Sequence, residues 1–111
     1  MAKCDLGELE HVLLLALMRL GEGAYGVSIR HEVEECTGRS ITPVAIYPTM
    51  DRLEAKGYVS SWKGEPTGER GGRAKRHFRL EAAGQEALDR SRDLLAALWD
   101  GFEPERGGGD D

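Results

Sequence analysis

One stretch constrains the fold more than any other: Thr42-Pro43-Val44-Ala45-Ile46-Tyr47-Pro48-Thr49-Met50-Asp51-Arg52-Leu53-Glu54-Ala55-Lys56-Gly57-Tyr58-Val59. It is framed as a single helix. Thr42 can cap it, and Pro43 suits the first helical position, where no N–H is needed. Lys56 falls in the last turn and Gly57 offers a left-handed stop. Ile46, Met50 and Leu53 recur at helical spacing and mark the buried stripe. The opposite face carries Val44, Ala45, Pro48, Arg52 and Ala55, flanked by Tyr47, Asp51 and Lys56. Small and apolar groups edged by cations are unusual on a solvated helix. They suit one that enters a DNA major groove, where small residues permit close approach and apolar groups touch thymine methyls. Pro48 removes one hydrogen bond and is expected to kink the helix, at about 3 kcal/mol in an ordinary setting. Two helices meeting at Pro48 is the alternative, but the caps at Thr42 and Gly57 frame one helix better.

Upstream, Asp5-Leu6-Gly7-Glu8 reads as a capping box with Asp5 as the cap. A helix follows to about Leu20. Leu6, Leu9, Leu13, Ala16, Leu17 and Leu20 form one apolar stripe, which Val12, Leu14, Leu15 and Met18 widen. A surface helix needs only one stripe, so the second face must be covered, and a second subunit is the favoured cover. Gly21-Glu22-Gly23 is a turn. A second helix is expected from about Tyr25 to Thr37, with Tyr25, Ile29, Val33 and Cys36 inward, and Gly38 stops it. Two helices joined by a short turn, the second framed for a groove, make a helix-turn-helix.

After Gly57 the period changes to two. Tyr58 to Lys63 and Lys75 to Leu80 read as strands, with Phe78 and Leu80 on one face and His77 and Arg79 on the other. Between them lies a long loop rich in Gly and Arg, the composition of a wing. Arg70, Arg73, Lys75 and Arg76 are its candidate phosphate contacts. The loop is no P-loop, since it lacks the Gly-Lys-Ser/Thr ending. The last helix starts near Ala82. Leu88, Leu95 and Phe102 recur every seven residues, with Ser91 and Leu98 between, and Ala87, Leu94 and Trp99 broaden the stripe. That repeat is a candidate helix–helix seam. Glu103 to Asp111 holds a proline, a glycine run and two final aspartates, a composition expected to be disordered.

The net charge of −5 is unfavourable for a DNA binder, but its distribution matters more than its sum. Residues 61–79 carry six cations against two anions, whereas residues 80–111 carry three cations against nine anions. A chain of 111 residues makes one domain with a modest core. No apolar run is long enough to span a bilayer, and no signal peptide is recognised, so the expected address is the cytoplasm, with no membrane partner. Cys4 and Cys36 are read as free thiols, and the three histidines do not join them at ligand spacing, so neither metal nor cofactor is expected. No paired carboxylates or nucleophile–base pair point to an enzyme.

The run Ala-Ile-Tyr-Pro-Thr-Met-Asp-Arg-Leu-Glu-Ala-Lys-Gly-Tyr-Val, residues 45–59, resembles the recognition-helix segment of the PadR family of bacterial transcriptional regulators. Tyr25-Gly26 before the Ile29/Val33 stripe, and Gly-Gly-Arg leading into a basic, aromatic strand, are similar to that family too. The resemblance covers roughly Leu6 to Trp99. It implies a mainly α fold with a two-stranded hairpin: a winged helix-turn-helix over residues 5–80, a C-terminal dimerisation helix over 81–102 and a tail over 103–111. It also implies a homodimer on double-stranded DNA, repressing from a near-palindromic operator and released by an effector. Arg52 and Lys56 are then candidates for base-edge or phosphate contact. Thr42, Tyr47 and Thr49 are candidate phosphate anchors, and Val44, Ala45 and Pro48 offer shape and methyl contacts. The dimer would form through Val12, Leu15, Leu88, Leu95, Leu98, Trp99 and Phe102. Departures are Val44, where many relatives have a smaller residue, and Trp62 and His77, where relatives often carry basic residues or tyrosine. The alternative is a winged helix used for small-molecule sensing or protein contact, with weak DNA binding; Trp99 and Phe102 would line a site for a flat aromatic compound.

Overall fold

The computed structural model describes residues 6–64 and 75–102. Its elements are α1 (Glu8–Leu20), β1 (Ala24–Tyr25), α2 (Gly26–Thr37), α3 (Pro43–Ala55), β2 (Val59–Lys63), β3 (Arg76–Leu80) and α4 (Ala82–Trp99). Cys4, Asp5, Arg70, Arg73 and the tail lie outside the described residues.

Helix α1 is the hub. It packs against α2, α3, β3 and α4. This position accounts for most of its apolar width: Leu13, Leu14, Ala16 and Leu17 are all buried within the chain. Only Leu15 and Met18 remain as large exposed apolar groups on it. The helix begins at Glu8 with Gly7 as the N-cap, not Asp5. Glu10 supplies the return bond, accepting the Gly7 N–H at 2.9 Å. The core is completed by Ile29 and Val33 of α2, Ile46, Met50 and Leu53 of α3, Phe78 of β3, and Ala87 and Leu88 of α4.

The sheet has three strands in the order β1-β3-β2, both pairs antiparallel, one more than the hairpin expected. The addition is the two-residue β1, in which Ala24 and Tyr25 face Phe78 and His77. Two residues cannot show a period, so this strand leaves no trace in the hydropathy pattern. Tyr25 therefore precedes α2 instead of lying in it, and Ser28 both accepts the Tyr25 N–H and donates to its carbonyl. Cys36, expected to point inward, is exposed in the last turn of α2, where its thiol lies 3.5 Å from Glu32. It is the next inward position after Val33 by spacing, but the core does not extend that far along the helix.

Helix α3 runs unbroken through Pro48, so one helix and not two occupies the central stretch. Pro48 lies on the exposed face, where water can take the hydrogen bond the Val44 carbonyl loses. Thr42 caps the start, its Oγ1 accepting the Ala45 N–H at 3.3 Å. Gly57, with φ of 81°, makes the turn into β2 in a conformation that side chains resist. Helix α4 starts at Ala82 without a side-chain cap. The Glu81 carboxylate instead accepts the Ser60 hydroxyl at 2.5 Å, and the Glu81 N–H reaches the Tyr58 carbonyl at 2.9 Å, tying α4 to the foot of β2.

Candidate functional site

The exposed face of α3 is built by what the core takes from its other side. Ile46, Thr49, Met50 and Leu53 turn inward, which leaves Val44, Pro48, Arg52 and Ala55 outward. Val44 is 82% exposed, an unusual degree for a branched apolar residue in a helix. Ala45 is half-buried beside it. Tyr47 leans back from this face, its ring 6.4 Å from that of Phe78. Its hydroxyl lies over Gly26, where a Cβ would overlap it, so glycine at the start of α2 is what lets Tyr47 settle between the two helices.

Several candidate contacts have other tasks. Thr49 is not a phosphate anchor: it is 2% exposed, and its hydroxyl donates to the Ala45 carbonyl at 2.8 Å and accepts from Arg52 at 3.1 Å. Arg76 is not an open wing cation. Its guanidinium lies 2.9 Å from both Asp51 and Glu54 of α3. Burial alone would lower its pKa, and the two carboxylates outweigh that and raise it. Ser61 donates to the same Glu54 at 2.9 Å, so wing and α3 are joined by one polar cluster. Lys75, by contrast, is exposed, with its ammonium 4.5 Å from the centre of the Tyr25 ring.

The end of α3 meets a carboxylate that sequence reasoning missed. Glu10 of α1 has a side chain only 8% exposed. It accepts Lys56 Nζ at 3.0 and 3.1 Å and lies 3.6 Å from Arg52 Nε. Burial pushes the Glu10 carboxyl up; the Gly7 N–H, then Lys56 and Arg52, outweigh it and hold it below the ordinary carboxylate value. Arg52 keeps its side chain 59% exposed while touching both Glu10 and Thr49.

On the outer face of the sheet, Trp62 stacks on His77 with centroids 5.6 Å apart, and His77 Nδ1 lies 2.8 Å from the Gly23 carbonyl. Arg79 rests 5.2 Å from the Trp62 ring. Trp62 and His77 thus pack on each other.

The second feature is an apolar face shared by α1 and α4. Leu95, Leu98, Trp99 and Phe102 are exposed, Leu98 to 70% and Phe102 to 77%. Leu95 and Trp99, with Leu15 and Met18 of α1, border a groove of about 650 Å³, to which His11 also contributes; Leu98 and Phe102 line a separate cleft with the same Leu95 and Trp99. Leu88, one of the expected seam residues, is 3% exposed and already belongs to the chain's own core. Val12 is half-buried against that core. Gly84 lets α4 leave the sheet closely, since a Cβ there would strike the Tyr58 carbonyl. No helix among the described residues is long and apolar enough to cross a membrane.

Comparison with known proteins agrees with this geometry. Residues 14–90 match the model of the transcriptional regulator PadR-like family. An uncharacterized 37.1 kDa protein in transposon TN4556 of Streptomyces fradiae is 34% identical over 86 residues; the match takes in 77% of this chain but only 23% of that protein's length. A PadR-like transcription factor from Bacteroides fragilis superposes with a TM-score of 0.71 at 22% identity, covering 83% of this chain and 84% of the other. A PadR family regulator from Eggerthella lenta gives 0.67 at 26% identity, covering 85% and 81%. RosR from H. salinarum gives 0.66 at 23% identity, covering 89% and 82%. The family is one of transcription regulators and not of enzymes. With more than half its length matched, and with the winged helix-turn-helix architecture of these structures, the chain belongs to the PadR-like family of transcriptional regulators.

Proposed function

We propose that this chain is a sequence-specific DNA-binding regulator that acts as a homodimer. It represses by occupying a near-palindromic operator and is released by an effector. The observation that carries the reading is the outward face of α3, where Val44 and Arg52 stand exposed on a helix whose other face is locked in the core. Residues 5–80 form the DNA-binding unit and residues 81–102 the dimerising helix. In the major groove, Val44, Ala45 and Pro48 meet thymine methyls and Arg52 offers N–H groups to base edges. Thr42 and Tyr47 lie beside the phosphates, and Lys75, with Arg70 and Arg73 of the wing, holds the flanking backbone. Leu95, Leu98, Trp99 and Phe102 supply the apolar surface that a second copy would cover.

Fluorescence anisotropy on the operator and on a scrambled duplex tests the role of α3. Arg52→Ala should cost roughly 1–3 kcal/mol on the operator and much less on the scrambled duplex. Equal losses on both would reduce Arg52 to a phosphate contact.

A second reading has its own observation. The groove between α1 and α4 is mostly apolar, with Gln85, Asp89 and Arg92 also lining it, and its volume of about 650 Å³ falls in the range of small-molecule sites. A sensor with weak DNA binding would use that groove, with Trp99 against the ligand. The salt dependence of binding to random duplex separates the two: a steep dependence supports the DNA-binding regulator, and a flat one supports the sensor.

A further inference from the structure

Glu10 sits on α1, yet its partners sit on the last turn of α3. By sequence it is 42 residues from Arg52 and 46 from Lys56; in space it accepts Lys56 at 3.0 Å and lies 3.6 Å from Arg52. We propose that Glu10 is a specificity-determining positioning residue, fixing how Arg52 and Lys56 are offered to the duplex. This rests on the reading of α3 as the DNA-contacting helix.

An arginine on an open helix face samples many rotamers, and ordering it on binding costs affinity. Here Arg52 Nη2 donates to Thr49 Oγ1 at 3.1 Å, and its Nε lies 3.6 Å from the Glu10 carboxylate, within ion-pair reach. Thr49 is itself held by the Ala45 carbonyl at 2.8 Å, so its contact with Arg52 is anchored to the helix. The rest of the guanidinium faces solvent, which is the arrangement a fixed fork needs to meet a base edge. Lys56 donates to Glu10 at 3.0 Å and is drawn toward α1, which moves its charge away from phosphates and lowers its worth as a general anchor. One carboxylate thereby orders the cation that can read sequence and restrains the one that cannot.

Stability alone gives a poor account of this carboxylate. A buried ion pair gains little net stability once desolvation is counted, and apolar replacements are often as good. Glu10 lies on the inward stripe of α1, three residues before Leu13 and seven before Leu17, where an apolar residue would pack readily. Glu10 itself is buried, but its partner Arg52 is 59% exposed, so the carboxylate acts on the outward face of α3 through the cation that it touches. Removing it adds one unit of positive charge beside the duplex and frees two cations for any phosphate within reach.

The test uses the full chain and two duplexes, one selected from a random pool by the wild-type protein and one with that sequence scrambled. Anisotropy is followed at several salt concentrations. Glu10→Gln keeps the shape and can still accept the Gly7 N–H, but it loses the charge. The preference for the selected duplex should fall about tenfold. The salt slope on the scrambled duplex should steepen by about one unit as freed cations reach phosphates. Glu10→Asp keeps the charge and shortens the reach, so preference should fall with the salt slope unchanged. Should Glu10→Gln not fold, Glu10→Asp carries the test through its preference ratio. Arg52→Ala should abolish the effect of Glu10→Gln on preference, because Glu10 acts through Arg52. A purely structural Glu10 would weaken binding to both duplexes alike and leave preference and slope unchanged, and that result overturns the proposal. If the wild type binds neither duplex in a salt-dependent way, the DNA-binding reading falls, and this inference with it. If the wild type binds selectively and the Glu10 variants keep its preference, only this inference falls.

Discussion

At the scale of single residues, the candidate contacts that the fold engages within the chain share a cause. Thr49 is three residues after Ile46 and four before Leu53, which places it on the buried stripe. Arg76 is two residues before Phe78, on the inward face of β3 by simple alternation. Both positions were legible from period alone; residue type, a hydroxyl and a cation near DNA, argued the other way. Glu10 was similarly readable as an inward position of α1. What the sequence could not show is that Lys56 and Arg52 would arrive to meet it, because that contact joins elements far apart in the chain.

Two predictions belong at this scale. Arg76→Ala should leave the salt slope of DNA binding unchanged and lower stability by about 1 kcal/mol, since its partners are half-exposed carboxylates. In a domain of this size that is a fall in melting temperature of roughly 4–8 °C. A slope reduced by one unit at unchanged melting temperature would return Arg76 to the phosphate contacts. The second concerns acid. Glu10 has a folded pKa below its ordinary value of 4.5, so its contribution is fully present above about that pH and is lost as pH falls through the lower folded value. Compared at successive pH values by chemical denaturation, Glu10→Gln should therefore be less stable than wild type at pH 7, with the gap closing below about pH 4.5. A gap that stays constant down to pH 2 contradicts the ion-paired state.

At the scale of elements, the frame of α3 was fully written in the sequence: Thr42, Pro43 and Gly57 act where local chemistry puts them. The two wing strands were equally plain from period, whereas the start of α4 near Ala82 had only the poor cap of Glu81 to mark it. The missing strand β1 and the shifted start of α1 were not plain, because each depends on a partner. Ala24–Tyr25 is a strand only because β3 lies beside it, and Gly7 caps α1 only because Glu10 folds back. The single helix expected from the caps at Thr42 and Gly57 runs through Pro48, because on the exposed face a lost backbone bond is made good by water. Pro48→Ala should then restore that bond and raise the melting temperature by several degrees, since alanine is favoured over proline inside a helix by up to about 3 kcal/mol. The same variant should weaken operator binding if the ring touches the duplex. A lower melting temperature would show that the proline ring is packed and not merely tolerated.

At the scale of the whole molecule, the chain divides its apolar surface between two uses. The α1 hub spends most of its width on its own core, and so does Leu88. Apart from Val44 and Tyr47 of α3, Val27 and Trp62, what remains outside lies on the second half of α4, at Phe102 just beyond it, and at Leu15 and Met18 of α1. The wide stripe of α1 had suggested a second subunit; the structure assigns most of that width inward and leaves the interface argument to α4. Leu95→Glu places a charge in the centre of this face, costly to bury unless paired. Sedimentation should find the wild type dimeric at micromolar concentration and the variant monomeric or aggregated. A monomeric wild type would remove the dimer from the account.

The most direct test of the central claim, that two copies of α3 read DNA sequence together, is selection of duplexes from a random pool by the wild-type protein, followed by sequencing. Two half-sites related by a dyad should be enriched, with centres one helical turn apart, roughly 34–36 Å or a multiple of it. A pool that shows no enriched sequence, or a single half-site without its symmetric mate, would contradict the claim.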